Sequence, residues 1–199
     1  MTRETAIDGA TKAASPAGTP ENSPARPMND AIADRSPGSP AGLPPGWRLR
    51  NARRGDEAAT QALVFGILAE YGLRPDPEGT DRDLYDLEGA YAGAGGWFAV
   101  LVDAADQVRA SVGLMPVGNG TVELRKMYLD RALRGRGLGR HLLDRALGEA
   151  RRRGFRRMTL ETASVLREAV ALYERHGFRR SSHAPQVCRC DLTMERELG

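Results

Sequence analysis

Arg134-Gly135-Arg136-Gly137-Leu138-Gly139 stands between an apolar run ending at Leu129 and an amphipathic run beginning at Leu138. A glycine-rich turn that opens a helix leaves backbone N–H groups without intrahelical partners. Those donors point outward at the positive end of the helix dipole and make an anion site. Glycine matters because a side chain would hold a phosphate away from the backbone. Arg134, Arg136 and Arg140 add charge. The turn is therefore read as a site for phosphate or pyrophosphate. It does not fit the dinucleotide fingerprint G-x-G-x-x-G. Read from Gly135, the third glycine position is Arg140; read from Gly137, it is Leu142. The Gly-Lys-Ser/Thr of a Walker loop is missing too. What fits is R/Q-x-x-G-x-G/A, with Arg134, Gly137 and Gly139 at the fixed positions.

A second motif follows downstream: Ala169-Val170-Ala171-Leu172-Tyr173-Glu174-Arg175-His176-Gly177-Phe178. A strand candidate lies between the two. Together they resemble the GNAT N-acetyltransferase superfamily. Its members carry the first motif for the pyrophosphate of acetyl-CoA and close the same region with an A-I-x-L-Y-E-x-x-G-F helix end. The resemblance runs over residues 47–196 and is most specific over 121–180. It implies an α/β domain with a mixed, centrally splayed β-sheet flanked by helices. It implies acetyl-CoA as co-substrate, with the acetyl group passing to a primary amine of a small molecule by direct attack. The residues implied to hold the co-substrate are Arg134, Gly135, Arg136, Gly137, Leu138, Gly139 and Arg140, with backbone groups of Met127, Tyr128 and Leu129. One position departs from the pattern. Many members place an Asn three residues before the alanine, where it bonds the pantetheine arm. Here that position is Leu166, and Ser164 and Thr162 are the candidate replacements.

Composition sets the domain boundary. Residues 1–46 hold eight of the twelve prolines and no aromatic residue. Such a segment cannot bury enough apolar surface to offset its ordering entropy, and is expected to be a disordered tail ahead of a domain at 47–199. Neither a signal-peptide core nor a membrane span is expected. The net charge is +3; the tail has four basic and five acidic residues, which leaves 25 basic and 21 acidic in the domain. That balance is mild. Arg151-Arg152-Arg153 and Arg156-Arg157 suit the C-terminal end of a helix dipole better than a nucleic-acid surface. Cys188 and Cys190, two apart on a strand and so on one side of it, fit no CxxC pattern and read as buried small residues in a reducing cytoplasm. Three histidines share no ligand spacing, so no metal is expected. A homodimer is left open.

Periodicity predicts strands over Trp47–Arg53, Trp97–Val102, Val108–Val117, Val122–Leu129, Met158–Thr162, Phe178–Ser182 and Val187–Met194. It predicts helices over Asp56–Tyr71, Asp81–Tyr91, Leu138–Arg153 and Val165–His176. Gly177 closes the last helix, with Phe178 as the hydrophobic partner beyond its cap. In Val122–Leu129 the alternation slips. Val122 and Leu124 set one phase, yet the apolar residues resume at Met127 and Leu129, one residue late. A single extra residue near Arg125-Lys126, a β-bulge, would cause this. The resembling family has a bulge there, and its splayed strand accepts the pantetheine arm.

Transfer to an amine needs a proton acceptor and a proton donor. Tyr173 shares a helical face with Leu166, Ala169 and Val170 and so points inward. By resemblance it is the donor to the leaving thiolate; the plainer reading is a core tyrosine bonded to a carbonyl. Glu123, on the strand bordering the thioester, is the candidate base; the plainer reading is a carboxylate paired with an arginine. Asp191 and His183 are weaker candidates. Seven acidic residues between Glu70 and Glu88 face two readings: a wall that attracts a cationic amine, or a solvated helix face. The rival to an acetyltransferase is a CoA-binding sensor domain without turnover.

Overall fold

Trp97–Val102, the sequence Trp-Phe-Ala-Val-Leu-Val, is apolar at every position because both faces of its strand are covered. The computed structural model describes residues 43–199 and places this strand, β2, second in a seven-stranded sheet. The others are β1 (Arg48–Asn51), β3 (Val108–Gly118), β4 (Thr121–Leu129), β5 (Arg157–Thr162), β6 (Arg179–Arg180) and β7 (Leu192–Glu197), in the order β1-β2-β3-β4-β5-β7-β6. Every neighbouring pair is antiparallel except β4–β5, which is parallel, so the sheet is mixed as expected. The expectation of a disordered tail concerns residues that are not described here, apart from its last four. Of these, Leu43 packs against the main core.

Successive residues of β2 serve two cores. Trp97, Ala99 and Leu101 meet α2 (Leu138–Arg152), whose stripe of Leu138, Leu142, Leu143, Ala146, Leu147 and Ala150 is buried as its period requires. Phe98, Val100 and Val102 meet α1 (Glu57–Glu70) through Val64 and Leu68. Tyr173 and Phe178, from the end of α3 (Arg167–Arg175), join the α2 core.

Two features open the sheet at its centre. The first is the expected bulge. Gly113 and Ser111 of β3 pair with Arg125 and Tyr128 of β4, three steps against two. Lys126, at φ +50°, is the extra residue. Val122, Leu124, Met127 and Leu129 all pack in the α2 core, while Arg125 and Lys126 turn consecutively to the other face. The second is divergence. β4 pairs with β5 only from Thr121 to Leu124, opposite Arg157 to Leu160, although both strands continue. The β4 edge beyond Leu124 is thus without a β5 partner.

Three expectations need correction. Val187–Asp191 is a loop, and the last strand starts at Leu192 and runs to Glu197. The Glu161 carboxylate accepts the N–H groups of Gln186 and Val187, each at 2.9 Å, which removes the donors a strand would use. Cys188 and Cys190 therefore lie in a turn, not buried on a strand face; Cys188 is exposed and Cys190 half-buried. The segment Asp81–Tyr91 forms a 3-10 turn at Arg82–Tyr85 and a π-turn at Glu88–Ala92 in place of one helix. Asp86 separates them, its carboxylate accepting the Gly89 N–H at 2.8 Å as in a fresh cap. The strand expected from Phe178 to Ser182 is confined to Arg179–Arg180.

Candidate active site

The glycine turn owes its shape to two left-handed residues, Gly135 at φ +75° and Gly137 at φ +80°. Gly137 caps α2, and a Cβ added at either position would meet nothing within 4 Å. The space in front of the turn is open. The first bond of the helix ladder runs from His141 N–H to Gly137 O at 3.1 Å, so the N–H groups of Leu138, Gly139 and Arg140 precede the ladder. Arg134 has a different task from the one its charge suggests. Its Nε donates to Leu129 O at 3.2 Å, its Nη1 sits 2.8 Å from Glu70 Oε2, and its guanidinium lies 5.5 Å over the Tyr71 ring. It braces the turn against the end of β4 and the end of α1. Its buried Nη2 has no partner among the described residues. An anion in front of the turn would supply one.

A single cavity of about 460 Å³ joins this turn to the gap between β4 and β5. It is lined by Glu123, Met127, Tyr128, Leu129, Arg134, Gly135, Gly137, Gly139, Arg140 and Tyr173, ten of the twelve expected site residues. The other two differ for plain reasons. Leu138 points its side chain into the core, and Arg136 is exposed outside the cavity wall. A turn with free N–H groups, open space above its glycines and an orphaned guanidinium nitrogen fits a pyrophosphate. The unpaired β4 edge fits an amide-bearing arm beside it.

Tyr173 is fixed by the end of α3. Phe178 N–H bonds to Tyr173 O and Gly177 N–H to Glu174 O, both at 3.0 Å, with Gly177 at φ +78°. The rings of Tyr173 and Phe178 pack with centroids 5.8 Å apart. Burial, with Tyr128 and Cys190 nearby, pushes the Tyr173 phenol well above its usual value. The hydroxyl therefore stays protonated near neutral pH. Burial likewise pushes Tyr128 up to about 12 and Cys190 up to about 11. Cys190 is accordingly a thiol, not a thiolate.

Glu123 sits on the cavity wall with its side chain 13% exposed. It is paired with Arg125, whose Nε and Nη2 lie 2.8 and 2.6 Å from the same oxygen, Oε2. The weaker candidates lie off the cavity. Asp191 is bound by the N–H and hydroxyl of Ser164 at 2.7 and 2.6 Å, which hold its carboxyl below the usual range. His183 bonds the Ser181 hydroxyl at 2.8 Å. Ser164 is thereby committed, which leaves Thr162 as the replacement that faces the cavity.

Residues 63–178 match the model of the Acetyltransferase (GNAT) family. The chain belongs to this family. The uncharacterized N-acetyltransferase YjgM of Escherichia coli K12 is 35% identical over 158 residues, covering 75% of this chain and 94% of that protein. A GNAT acetyltransferase from Staphylococcus aureus Mu50 shares the fold with a TM-score of 0.71 at 21% identity, over 77% of this chain and 99% of its own. Salmonella typhimurium yncA, solved with its cofactor acetyl-CoA, superposes with a TM-score of 0.62 at 25% identity, over 77% of this chain and 95% of its own.

The GNAT chain also holds a cluster that its sequence did not reveal. Lys126 buries its amine against Asp81 at 2.6 Å and Asp83 at 3.3 Å, and Arg189 forks onto Asp81 at 2.7 and 3.0 Å. Asp83 also accepts the Tyr91 hydroxyl at 2.6 Å. This corrects the reading of the acidic segment. Asp81 and Asp83 pair internally, Asp76 and Asp86 cap turns, and Glu70 holds Arg134. Among the described residues, Glu78 and Glu88 alone of the seven are exposed without a partner and keep the solvated reading. Spacing alone could not disclose these pairings, because Arg189 lies 108 residues from Asp81. The one signal available was a lysine at the phase slip. Among the described residues no helix is long and apolar enough to cross a membrane, and no cluster of His, Cys, Asp and Glu is placed to hold a metal ion.

Proposed function

We propose that the protein is an acetyl-CoA-dependent N-acetyltransferase acting on a primary amine of a small molecule by direct attack. The observation that carries this reading is one cavity shared by the phosphate turn, the unpaired β4 edge, Tyr173 and Glu123. Acetyl-CoA supplies an activated acyl thioester. The N–H groups of Leu138, Gly139 and Arg140 receive its pyrophosphate, and backbone groups of β4 beyond the bulge receive the arm. An N–H on that edge polarises the thioester carbonyl as charge develops on oxygen. Glu123 takes the ammonium proton through Oε1, the oxygen that Arg125 leaves unused. The amine nitrogen then bonds the acetyl carbon while the carbon–sulfur bond breaks, Tyr173 donates its hydroxyl proton to the leaving sulfur, and the second proton shed by the acylated nitrogen returns to the Tyr173 oxygen through water.

The test is release of CoA thiol from acetyl-CoA in the presence of a panel of primary amines. Turnover with at least one amine supports the reading. Tight acetyl-CoA binding without thiol release from any amine would instead favour a sensor domain.

A further inference from the structure

The charges around the acceptor end of the cavity are matched in a way that leaves one ion pair open. Lys126 and Arg189, which also line the cavity, are matched by the two carboxylates of Asp81 and Asp83. Glu161 gives both carboxylate oxygens to backbone N–H groups of the loop over it. Glu123 and Arg125 differ. They stand two residues apart on β4, on the same face, and both line the cavity. Both arginine contacts fall on Glu123 Oε2. Glu123 Oε1 and Arg125 Nη1 have no protein partner among the described residues, and neither is sealed from solvent. The side chains are 13% and 33% exposed. This pair thus offers one vacant anionic acceptor beside one vacant cationic donor, with no net charge of its own.

We propose that the acceptor is a zwitterion, a free α-amino acid, whose ammonium group meets Glu123 Oε1 and whose carboxylate meets Arg125 Nη1. This rests on the acetyltransferase reading and narrows its substrate class. In an α-amino acid the two charges are separated by only two bonds, which suits a donor and an acceptor held on one ion pair. The same placement sets the amine against the carboxylate that takes its proton. A polycation finds no surplus negative charge on this pair, and an amine without a carboxylate leaves Nη1 vacant. A neutral amide partner replaces a charge-assisted bond with a weaker one. The same cavity is lined by Ile67, Leu73 and Val187, which suit a small apolar side chain.

The experiment measures CoA thiol release with three matched compounds, L-leucine, L-leucinamide and isoamylamine, and with spermidine. L-Leucine is expected to exceed the other three in kcat/KM by at least about tenfold, the value of one charge-assisted hydrogen bond. In the Arg125→Gln protein the advantage of L-leucine over isoamylamine should collapse toward one through a rise in KM. The melting temperature and the acetyl-CoA affinity of that protein are measured alongside. Spermidine or isoamylamine turning over as fast as L-leucine in the unaltered protein would overturn the zwitterion assignment and leave the transferase reading intact. An unchanged preference in a folded Arg125→Gln protein would overturn it equally. Thiol release with none of the four, or of any wider amine panel, would defeat the transferase reading and this inference together.

Discussion

The Lys126 ammonium lies 2.6 Å from Asp81 Oδ1, with the lysine side chain 3% exposed and the aspartate fully buried. The residue that carries the bulge is thus anchored by its side chain to the 3-10 turn at Arg82–Tyr85. Its carbonyl is held separately by the Ser111 hydroxyl, at 2.7 Å from β3. A left-handed, β-strand lysine is costly. These two contacts are what hold it there. Burial works against ionisation of Asp81, yet hydrogen bonds from Arg189 and Lys126 keep its carboxyl below the usual range.

Asp81→Asn should therefore leave Arg189 without its carboxylate and Lys126 with Asp83 alone. Loss of one partner of a buried pair costs about 3–5 kcal/mol, and urea unfolding at neutral pH reads it directly. The pH dependence has a defined sign. Because the folded pKa is lowered, the contribution is complete above the unfolded value of about 3.9 and disappears as pH falls through the folded value. Acid unfolding of the parent should be steep in that range. A loss below about 1 kcal/mol in the variant would mean that the cluster relaxes or takes up water.

Gly137→Val tests the phosphate turn. A Cβ there meets no protein atom, so the variant should fold, losing only about 1–2 kcal/mol to the left-handed backbone. The same Cβ stands in the open space before the N–H groups. Calorimetry should find acetyl-CoA binding abolished. Unchanged affinity would remove the turn from the site.

Tyr173→Phe deletes one hydroxyl and keeps the ring against Phe178. A donor that meets sulfur only as charge develops should matter to chemistry more than to binding, so kcat should fall by about a hundredfold with acetyl-CoA affinity retained. Since burial raises the Tyr173 phenol, the parent should show no loss of kcat from its deprotonation up to the ordinary phenol value of about 10. Full activity in the variant would make the tyrosine structural.

Glu123→Gln keeps size and loses basicity. Near neutral pH under about one part in a hundred of an alkylamine is unprotonated. The variant should lose kcat/KM there and recover part of it as pH rises, because solution then supplies neutral amine. A pH–rate profile that overlays the parent's would take Glu123 out of proton transfer.

Local patterns were legible and distant pairings were not. Val122, Leu124, Met127 and Leu129 announced a bulge because a single buried face fixes the phase of a strand. Gly177 and Phe178 announced the end of α3 because a left-handed cap needs glycine and a hydrophobic partner. The loop at Val187–Asp191 misled because Cys188 and Cys190 continue the alternation of Leu192 and Met194, while Glu161, far away in sequence, captured the N–H groups of Gln186 and Val187. Arg134 was legible only in part. A charge beside a phosphate turn suggests a ligand contact, and nothing local shows that Tyr71 and Glu70 will claim it. The acidic segment was ambiguous for the same reason.

The bulge has one more consequence. Removing Lys126 would restore perfect alternation, with Val122, Leu124, Met127 and Leu129 at every second place. Such a strand would be the better β-sheet component, regular enough to go on pairing with β5 past Leu124 and Leu160. The gap between them would close like a zip, and Asp81 would be stranded without its lysine. One surplus residue thus keeps two strands from completing the seam that their own geometry favours, and the opening left behind is where chemistry has room to occur.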